Sequence, residues 1–441
     1  MSNRYVNPSG FAENLPAEQL VEERLKAGLA TAAEGYGYVR LETPAIEYMD
    51  TLASDGNITK EIYRIVRSQA EDNGSESERG LHFDLTIPFA RYVAQHYAEL
   101  PFPFRRFQIQ KVWRGERPQK GRFREFYQAD IDVVANEVLP IQFDAEVITV
   151  MARVLSSFGI GPVTMKVNNR KFLTGLLEHF GITNQAGVLQ QIDKLDKIGV
   201  EKVSEVLMAE YGIAAETLTS LFTIITSRAA TVDLAAMLIR IPDSNETLVE
   251  GKAELLSLFE NVPAAGSVPN VTILFDPAIA RGLDYYTGMV CETIIDGFER
   301  YGSICSGGRY ADLASRFTSR KLPGVGLSIG LSRLMTIIKE ESLLDFSVQT
   351  KTQVIVGLFH ESLRALSHTA SEELRAAGVL VETVHKEQSN LGKQIDQAAA
   401  KGVPFVLACE QDGSFSLFPT AGGEKQICQS INELVTLIAT A

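Results

Sequence analysis

FRRFQIQKVWRGERPQKGRFREFYQADIDVV, residues Phe104 to Val134, is the stretch whose reading decides the fold. Phe104–Trp113 and Glu125–Val134 each alternate as a β-strand does, and a loop rich in arginine joins them. Alternate residues of a strand share a face, so Phe126, Gln128, Asp130 and Asp132 point one way and Tyr127, Ala129, Ile131 and Val133 the other. A half-solvated sheet explains any one of these residues. It explains less well why Arg114 and a cationic loop adjoin the same hairpin, setting an acidic floor beside a basic rim. Between Phe104 and Gln128 lie eight basic and two acidic residues, a local surplus of 8 − 2 = +6. The plain reading is a solvated basic loop; the functional one is a place that draws a polyphosphate or RNA backbone. Floor and rim together suit a ligand with an amino group at one end and phosphate at the other.

The surrounding chain sharpens the contrast. Net charge is −13, from 42 basic and 55 acidic residues, which argues against nonspecific nucleic-acid binding because phosphate contacts need cations. With 441 residues, two or three domains are expected. No apolar run approaches the roughly 20 residues of a bilayer span, and Met1 to Gly10 lack a signal-peptide pattern, so a cytoplasmic protein without membrane contact is expected. The four cysteines form no CxxC pair and the six histidines no i, i+4 pair, so neither a disulfide framework nor a zinc site is expected.

Upstream, Asn14-Leu15-Pro16 starts a helix running to about Ala33, and Tyr38 to Thr43 reads as a strand. Glu71 to Ser75 is turn-rich, an exposed hairpin loop, and Ile87 to Tyr97 is a helix with Pro88 in its first turn. Downstream come a helix at Gln142–Phe158, a strand at Val163–Asn168, a wholly helical stretch from Lys171 to about Ala265, and a strand at Val271–Phe275. Helices interrupting a mainly β run suggest an inserted module. Gly324-x-Gly326-x-x-x-Gly330 lacks the Gly-Lys-Ser/Thr of a P-loop, and reads as a glycine-bearing strand entering a helix that carries Arg333. After Glu341 strands and helices alternate, with a last helix near Lys425, predicting a small α/β domain with a largely parallel sheet beginning near residue 345.

The opening stretch resembles motif 2 of class II aminoacyl-tRNA synthetases in its histidyl form. RGLDYYTGMVCE (Arg281 to Glu292) and GSICSGGRYADL (Gly302 to Leu313) resemble the two histidine-specific signatures, and PGVGLSIGLSRL (Pro323 to Leu334) resembles motif 3. Gly37 to Pro44 is similar to motif 1, the dimerisation element, and LHFDLTIPFARY (Leu81 to Tyr92) to the segment that binds the substrate amino group. The motifs stand in family order over nearly the whole chain. The resemblance implies an α+β catalytic domain at 1–341, an antiparallel sheet flanked by helices, with a helical insertion at about 171–265. It implies a C-terminal α/β anticodon-binding domain at 345–441.

The same resemblance implies the chemistry: the histidine carboxylate attacks the α-phosphate of ATP, and the histidyl group then passes to the 3′ end of histidine tRNA. Two anions must meet, so fixed cations are the main catalytic tool. Arg114 and Arg281 are implied as catalytic, Arg114 and Arg122 at the phosphates, Arg333 at the γ-phosphate, Glu116 near adenine and Phe126 stacked on it. Asp84, Thr86 and Gln128 would hold the amino group and Asp132 with Tyr286 the ring, with Tyr285 also at the histidine. Gly307 and Gly308 would let backbone approach the ligand. Arg117, Gln119 and Lys120 would meet the tRNA acceptor end. Mg²⁺ would come with ATP, no protein-built metal site or organic cofactor is implied, and a homodimer is. Asp84 and Asp132 stand where many relatives carry the longer Glu, and Ala311 where an acid is usual. Arg281 and Tyr286 differ in parity, so a bend is expected near Gly282. A non-catalytic regulatory paralogue of histidine biosynthesis and a sensor of uncharged tRNA are the rival readings. Such paralogues usually lack the anticodon-binding domain and the catalytic arginine, whereas both are present here; the sensors usually sit beside a kinase domain and have degenerate signatures, and neither holds here.

Overall fold

A computed structural model describes residues 6–53, 58–66, 78–119, 121–280, 286–312 and 314–439. The chain forms two compact units, one of residues up to Ala12 with Leu25–Leu343, the other of Glu13–Arg24 with Leu344 onward. In chain order the first unit's strands are β1 (Val39–Arg40), β2 (Ile46–Tyr48), β3 (Arg79–Leu81), β4 (Phe104–Trp113), β5 (Glu125–Val134), β6 (Val163–Asn169), β7 (Ala229–Ala230), β8 (Val271–Phe275), β9 (Met289–Ile295), β10 (Cys305–Tyr310) and β11 (Gly324–Gly330). Nine of them form one sheet in the order β1-β4-β5-β11-β10-β9-β6-β8-β7; β2 and β3 pair separately. Its pairings are antiparallel except β1 with β4 and β6 with β8.

The hairpin β4–β5 and the helix Gln142–Phe158 have the bounds their sequence periods predict. That helix packs on β11 and on a helix of the insertion, Glu246–Asn261. It buries Val147, Ile148, Val150, Met151, Val154, Leu155 and Phe158. Burying each such side chain is worth roughly 1.5–3 kcal/mol, so packing rather than propensity holds the helix. It stops at Gly159, whose φ of 67° is left-handed.

Two expectations fail locally, and a third is not tested. Tyr38 to Thr43 is a strand only at Val39–Arg40, where it pairs with β4. The insertion is not wholly helical, because β7 pairs antiparallel with β8 at the sheet edge. Between β7 and its neighbours the insertion is six helices, two of which approach closely: a Cβ on Gly251 would stand 2.2 Å from the Phe172 backbone nitrogen. The turn at Glu71–Ser75 lies outside the described residues.

The second unit carries a five-stranded sheet, β13-β12-β14-β15-β16, from Val354–Val356, Val381–Thr383, Phe405–Cys409, Phe415–Pro419 and Gln426–Cys428 as β12 to β16. Val354 and Val356 join Leu374 and Leu434 of the helices Arg364–Ala376 and Ile431–Ala439 in one core; Ile355 joins Ala398 of the helix Leu391–Ala400 on the other face. The sheet is mixed rather than largely parallel, since β14–β15 and β15–β16 are antiparallel. Its last strand occupies residues assigned above to the final helix, which begins at Ile431.

Candidate active site

Strand β5 lies between β4 and β11, and cross-strand pairing builds the floor. Asp132 stands opposite Arg106 and Gly326, Asp130 opposite Gln108 and Ser328, and Gln128 opposite Gln110 and Gly330. Gly326 is required sterically: a Cβ there would lie 2.0 Å from Asp132 Oδ1. Arg106, with 0% of its surface exposed, brings Nη2 within 2.7 Å of Asp132 and 3.8 Å of Asp130. Neither approach is aligned as a hydrogen bond, so Arg106 Nε and Nη2 and Asp130 Oδ1 remain without one. Arg106 Nη1 donates to Gln108 Oε1 at 3.0 Å, and Gln108 Nε2 to Thr43 Oγ1 at 3.1 Å. The Tyr310 hydroxyl donates to Asp132 at 3.3 Å, and the Phe89 ring lies 4.3 Å from the Arg106 guanidinium.

Above this floor opens a cavity of about 430 Å³ with two chemical ends. Asp84, Thr86, Gln128, Tyr286, Ser306 and Ser328 line one; Arg114, Arg122, Arg333, Glu116 and Phe126 line the other. Arg114 is oriented by donating to the Phe83 carbonyl at 3.0 Å and to Gln128 Oε1 at 3.4 Å, with its guanidinium 5.0 Å from the Phe126 ring centre. Gln128 in turn donates to Ser328 Oγ at 2.8 Å, and Arg333 to the Ser303 carbonyl at 2.9 Å.

The acidic end is electrostatically tense. Burial pushes the Asp84 carboxyl up to about 6, against the Ile87 N–H and the Arg114 and Arg106 charges, which favour the anion. Burial likewise lifts Asp130 to about 7 and raises Asp132, both opposed by Arg106. Tyr286 is raised by burial and then by Asp132 and Asp130, so it stays a neutral hydroxyl. Asp130 and Asp132 share one buried guanidinium, and Asp84 answers to Arg114 as well. A ligand ammonium group would relieve them.

A histidyl-tRNA synthetase family model matches residues 10–334. The chain belongs to the histidyl-tRNA synthetase family. It is 41% identical to the histidine–tRNA ligase of Thermobifida fusca (strain YX), over 91% of this chain and 92% of that one. Against the ligase of Stenotrophomonas maltophilia (strain K279a) identity is 42%, over 92% and 90%. The crystal structure of histidyl-tRNA synthetase from Nostoc sp. PCC 7120 superposes with a TM-score of 0.89 at 35% identity, covering 99% of each chain.

Of the residues that the family resemblance singles out, Asp84, Thr86, Arg114, Glu116, Arg122, Phe126, Gln128, Tyr286 and Arg333 converge on the cavity. Arg281, Tyr285 and Lys120 lie outside the described residues, as does the expected bend at Gly282; Tyr286 itself precedes β9. Asp132 does not line the cavity but lies beneath it, gripped by Arg106. Gly307 is also not among the lining residues; its missing side chain makes room for backbone, since a Cβ would stand 2.1 Å from the Gly326 carbonyl oxygen. At Gly308 a Cβ would crowd the Met289 carbonyl at 2.4 Å and the Tyr286 ring at 3.0 Å. Arg117 and Gln119 are exposed, and the loop closes on itself through paired backbone bonds between Gln119 and Arg122. Arg106, Ser306 and Ser328 were not anticipated; only the parity of their strands hinted at them. Among the described residues no group of three or more His, Cys, Asp or Glu could hold a metal.

Proposed function

We propose that this chain is an ATP-dependent histidine–tRNA ligase, forming histidyl-adenylate and transferring the histidyl group to the 3′ end of histidine tRNA with release of AMP and pyrophosphate. The observation that carries it is one cavity with an arginine-lined end and a polar end lined by Asp84, Thr86 and Gln128. Asp84, Thr86 and Gln128 hold the ammonium group; Tyr286, with Asp132 beneath, meets the imidazole. A histidine carboxylate oxygen attacks the α-phosphorus, and the bond to the pyrophosphate oxygen breaks. Arg114, fixed by the Phe83 carbonyl and Gln128, stands ready for charge that gathers on the α-phosphate. Arg333 takes the γ-phosphate and Arg122 the pyrophosphate end, forking onto oxygens as arginine does. Glu116 and Phe126 receive adenine. Magnesium arrives on the nucleotide as part of the substrate, needing few protein ligands.

Arg281 supplies the remaining cation at the carboxylate and α-phosphate. Arg117, Gln119 and Lys120 meet the acceptor end; a hollow of about 400 Å³ beside Gln119, Pro118 and Phe11 supports that reading. The unit from about 345 onward reads the anticodon. Exposed Val39 in the segment similar to motif 1, with exposed Ile46 and Tyr48 just beyond it, supports a homodimer. No helix among the described residues is long and apolar enough to cross a membrane, which accords with a cytoplasmic enzyme.

The deciding experiment is ATP–pyrophosphate exchange with each of the twenty amino acids. Exchange dependent on histidine alone is expected. No exchange with any amino acid would instead favour the regulatory or sensor readings.

A further inference from the structure

Arg106 has no part in the chemistry above, yet it is the largest fully buried side chain of the molecule's described residues. Buried charge needs a reason, because an ion taken out of water is retained only where partners or function compensate. Its partners are unusual. Two carboxyls, Asp130 and Asp132, face it from β5 at 3.8 and 2.7 Å; the first is too far and the second not aligned to accept a hydrogen bond from it. The one aligned bond goes sideways, to Gln108, which passes it to Thr43. A guanidinium engaged for stability alone would be expected to fork onto one carboxylate through two aligned bonds.

The surroundings explain the compromise. Ser328, which stands opposite Asp130, accepts from Gln128, and Gln128 accepts from Arg114. Asp132 is fixed from its other side by the Tyr310 hydroxyl, in a slot that only glycine at 326 leaves open. Polar contacts thus run from the cavity wall through Ser328 and Asp130 to Arg106, and on to Asp132 under the polar end. Phe89 faces the guanidinium from the helix Thr86–Gln95, whose first turn begins beside Asp84. Arg106 thus faces Asp130 and Asp132 directly, and its charge also favours the Asp84 anion, after that of Arg114.

We propose that Arg106 is a positioning residue for amino-acid recognition: it fixes Asp132 and limits the negative charge beneath the cavity, selecting an amino acid whose side chain donates from ring nitrogen. The inference rests on the proposed ligase function and adds a determinant to its amino-acid end. Arg106 touches neither substrate. It acts through Asp132 and Asp130.

The test compares wild type with Arg106→Lys, Asp130→Asn, and the double variant Arg106→Met/Asp130→Asn. Each is followed by histidine-dependent pyrophosphate exchange, separating KM for histidine, KM for ATP and kcat, with thermal melting as the folding control. Arg106→Lys keeps the charge but cannot hold Gln108 and face both carboxyls at once, so KM for histidine should rise about ten- to a hundredfold while KM for ATP stays within about twofold. Asp130→Asn leaves the Arg106–Asp132 pair and should raise KM for histidine only about two- to threefold. The double variant keeps the net charge beneath the cavity but leaves Asp132 without its nearer partner, so KM for histidine should rise at least as far as in Arg106→Lys; a folded double variant with a wild-type KM for histidine would overturn the positioning role. Equal shifts in both KM values, or a lowered melting temperature with unchanged KM for histidine, would overturn the role of Arg106. Wild-type protein without histidine-dependent exchange would overturn the ligase reading itself, a distinguishable failure.

Discussion

The two ends of the cavity hold similar numbers of charges and treat them in opposite ways. At the phosphate end Arg122 is exposed and Arg114 and Arg333 are half-buried. At the other end Asp130 is 2% exposed, Asp132 4% and Arg106 not at all. Hydrated cations can reach, fork and let go, which suits a polyphosphate that must enter and leave as pyrophosphate. Enclosed charges cannot adjust cheaply, which suits reading one side chain against its near relatives, because a wrong ligand leaves buried groups unpaired. Binding strength and selectivity are thus placed in different dielectric surroundings.

The comparison breaks most sharply at the cation proposed to work between the two ends. Arg281→Ala should lower single-turnover histidyl-adenylate formation roughly 10²- to 10³-fold, about 3–4 kcal/mol, with little change in substrate affinity. A well-folded variant at close to wild-type rate would remove Arg281 from the mechanism. At the acidic end, Asp84→Asn should raise KM for histidine about ten- to a hundredfold and leave KM for ATP nearly unchanged. Its pH dependence has a definite sign. The Asp84 carboxyl is held up at about 6, above its unfolded value of 3.8. Ionising it therefore costs the unliganded fold stability as pH rises from below 4 through about 6, and an ammonium partner returns that stability. Stabilisation of wild type by histidine should grow between about pH 5.5 and 7.5 more than that of Asp84→Asn, a comparison that cancels titration of the ligand's own imidazole near about 6.5. Parallel curves for the two proteins would place the ammonium elsewhere.

Smaller effects sharpen the picture. Gly326→Ala would drive a methyl group into the Asp132 carboxylate, for a loss of about 1–3 kcal/mol of stability by thermal or urea melting. Unchanged stability would mean that Asp132 has room to retreat. Gln119→Ala, on the exposed loop, should reduce tRNA charging about two- to fivefold, the worth of one ordinary hydrogen bond, without touching pyrophosphate exchange. Equal loss in both assays would assign the loop to ATP.

What was legible follows from the same division. The hairpin β4–β5 could be bounded residue by residue because ten-residue strands carry several full periods. Gln426–Cys428 carries barely one and was absorbed into a helix. Ala229–Ala230 is a strand only because β8 offers it an edge. At the site, the arginines of the phosphate end stand out by residue type and motif. Ser306 and Ser328 do not, because what brings them to the cavity is the order β5-β11-β10, a tertiary fact absent from local pattern. Asp132 was visible by parity, but its burial beneath the cavity depends on Arg106 and Gly326, 26 and 194 positions away in the chain. The glycines showed that backbone approaches closely; which backbone, they could not show.

The slot that Gly326 leaves for Asp132 also constrains how such a pocket can be redesigned or can drift. The two positions form a lock in which one residue's absence of side chain is the other's allotted volume. A bulkier residue at 326 has nowhere to go while Asp132 keeps its place, and shortening Asp132 first opens a void with Arg106 stranded beside it. On the proposed role of Asp132, altered amino-acid specificity is reached most readily by concerted exchange, trading side-chain volume across β5 and β11 while the Arg106 charge is retired in the same move. Libraries that pair position 132 with 326 and 106 are expected to keep more folded variants than libraries that vary 132 alone.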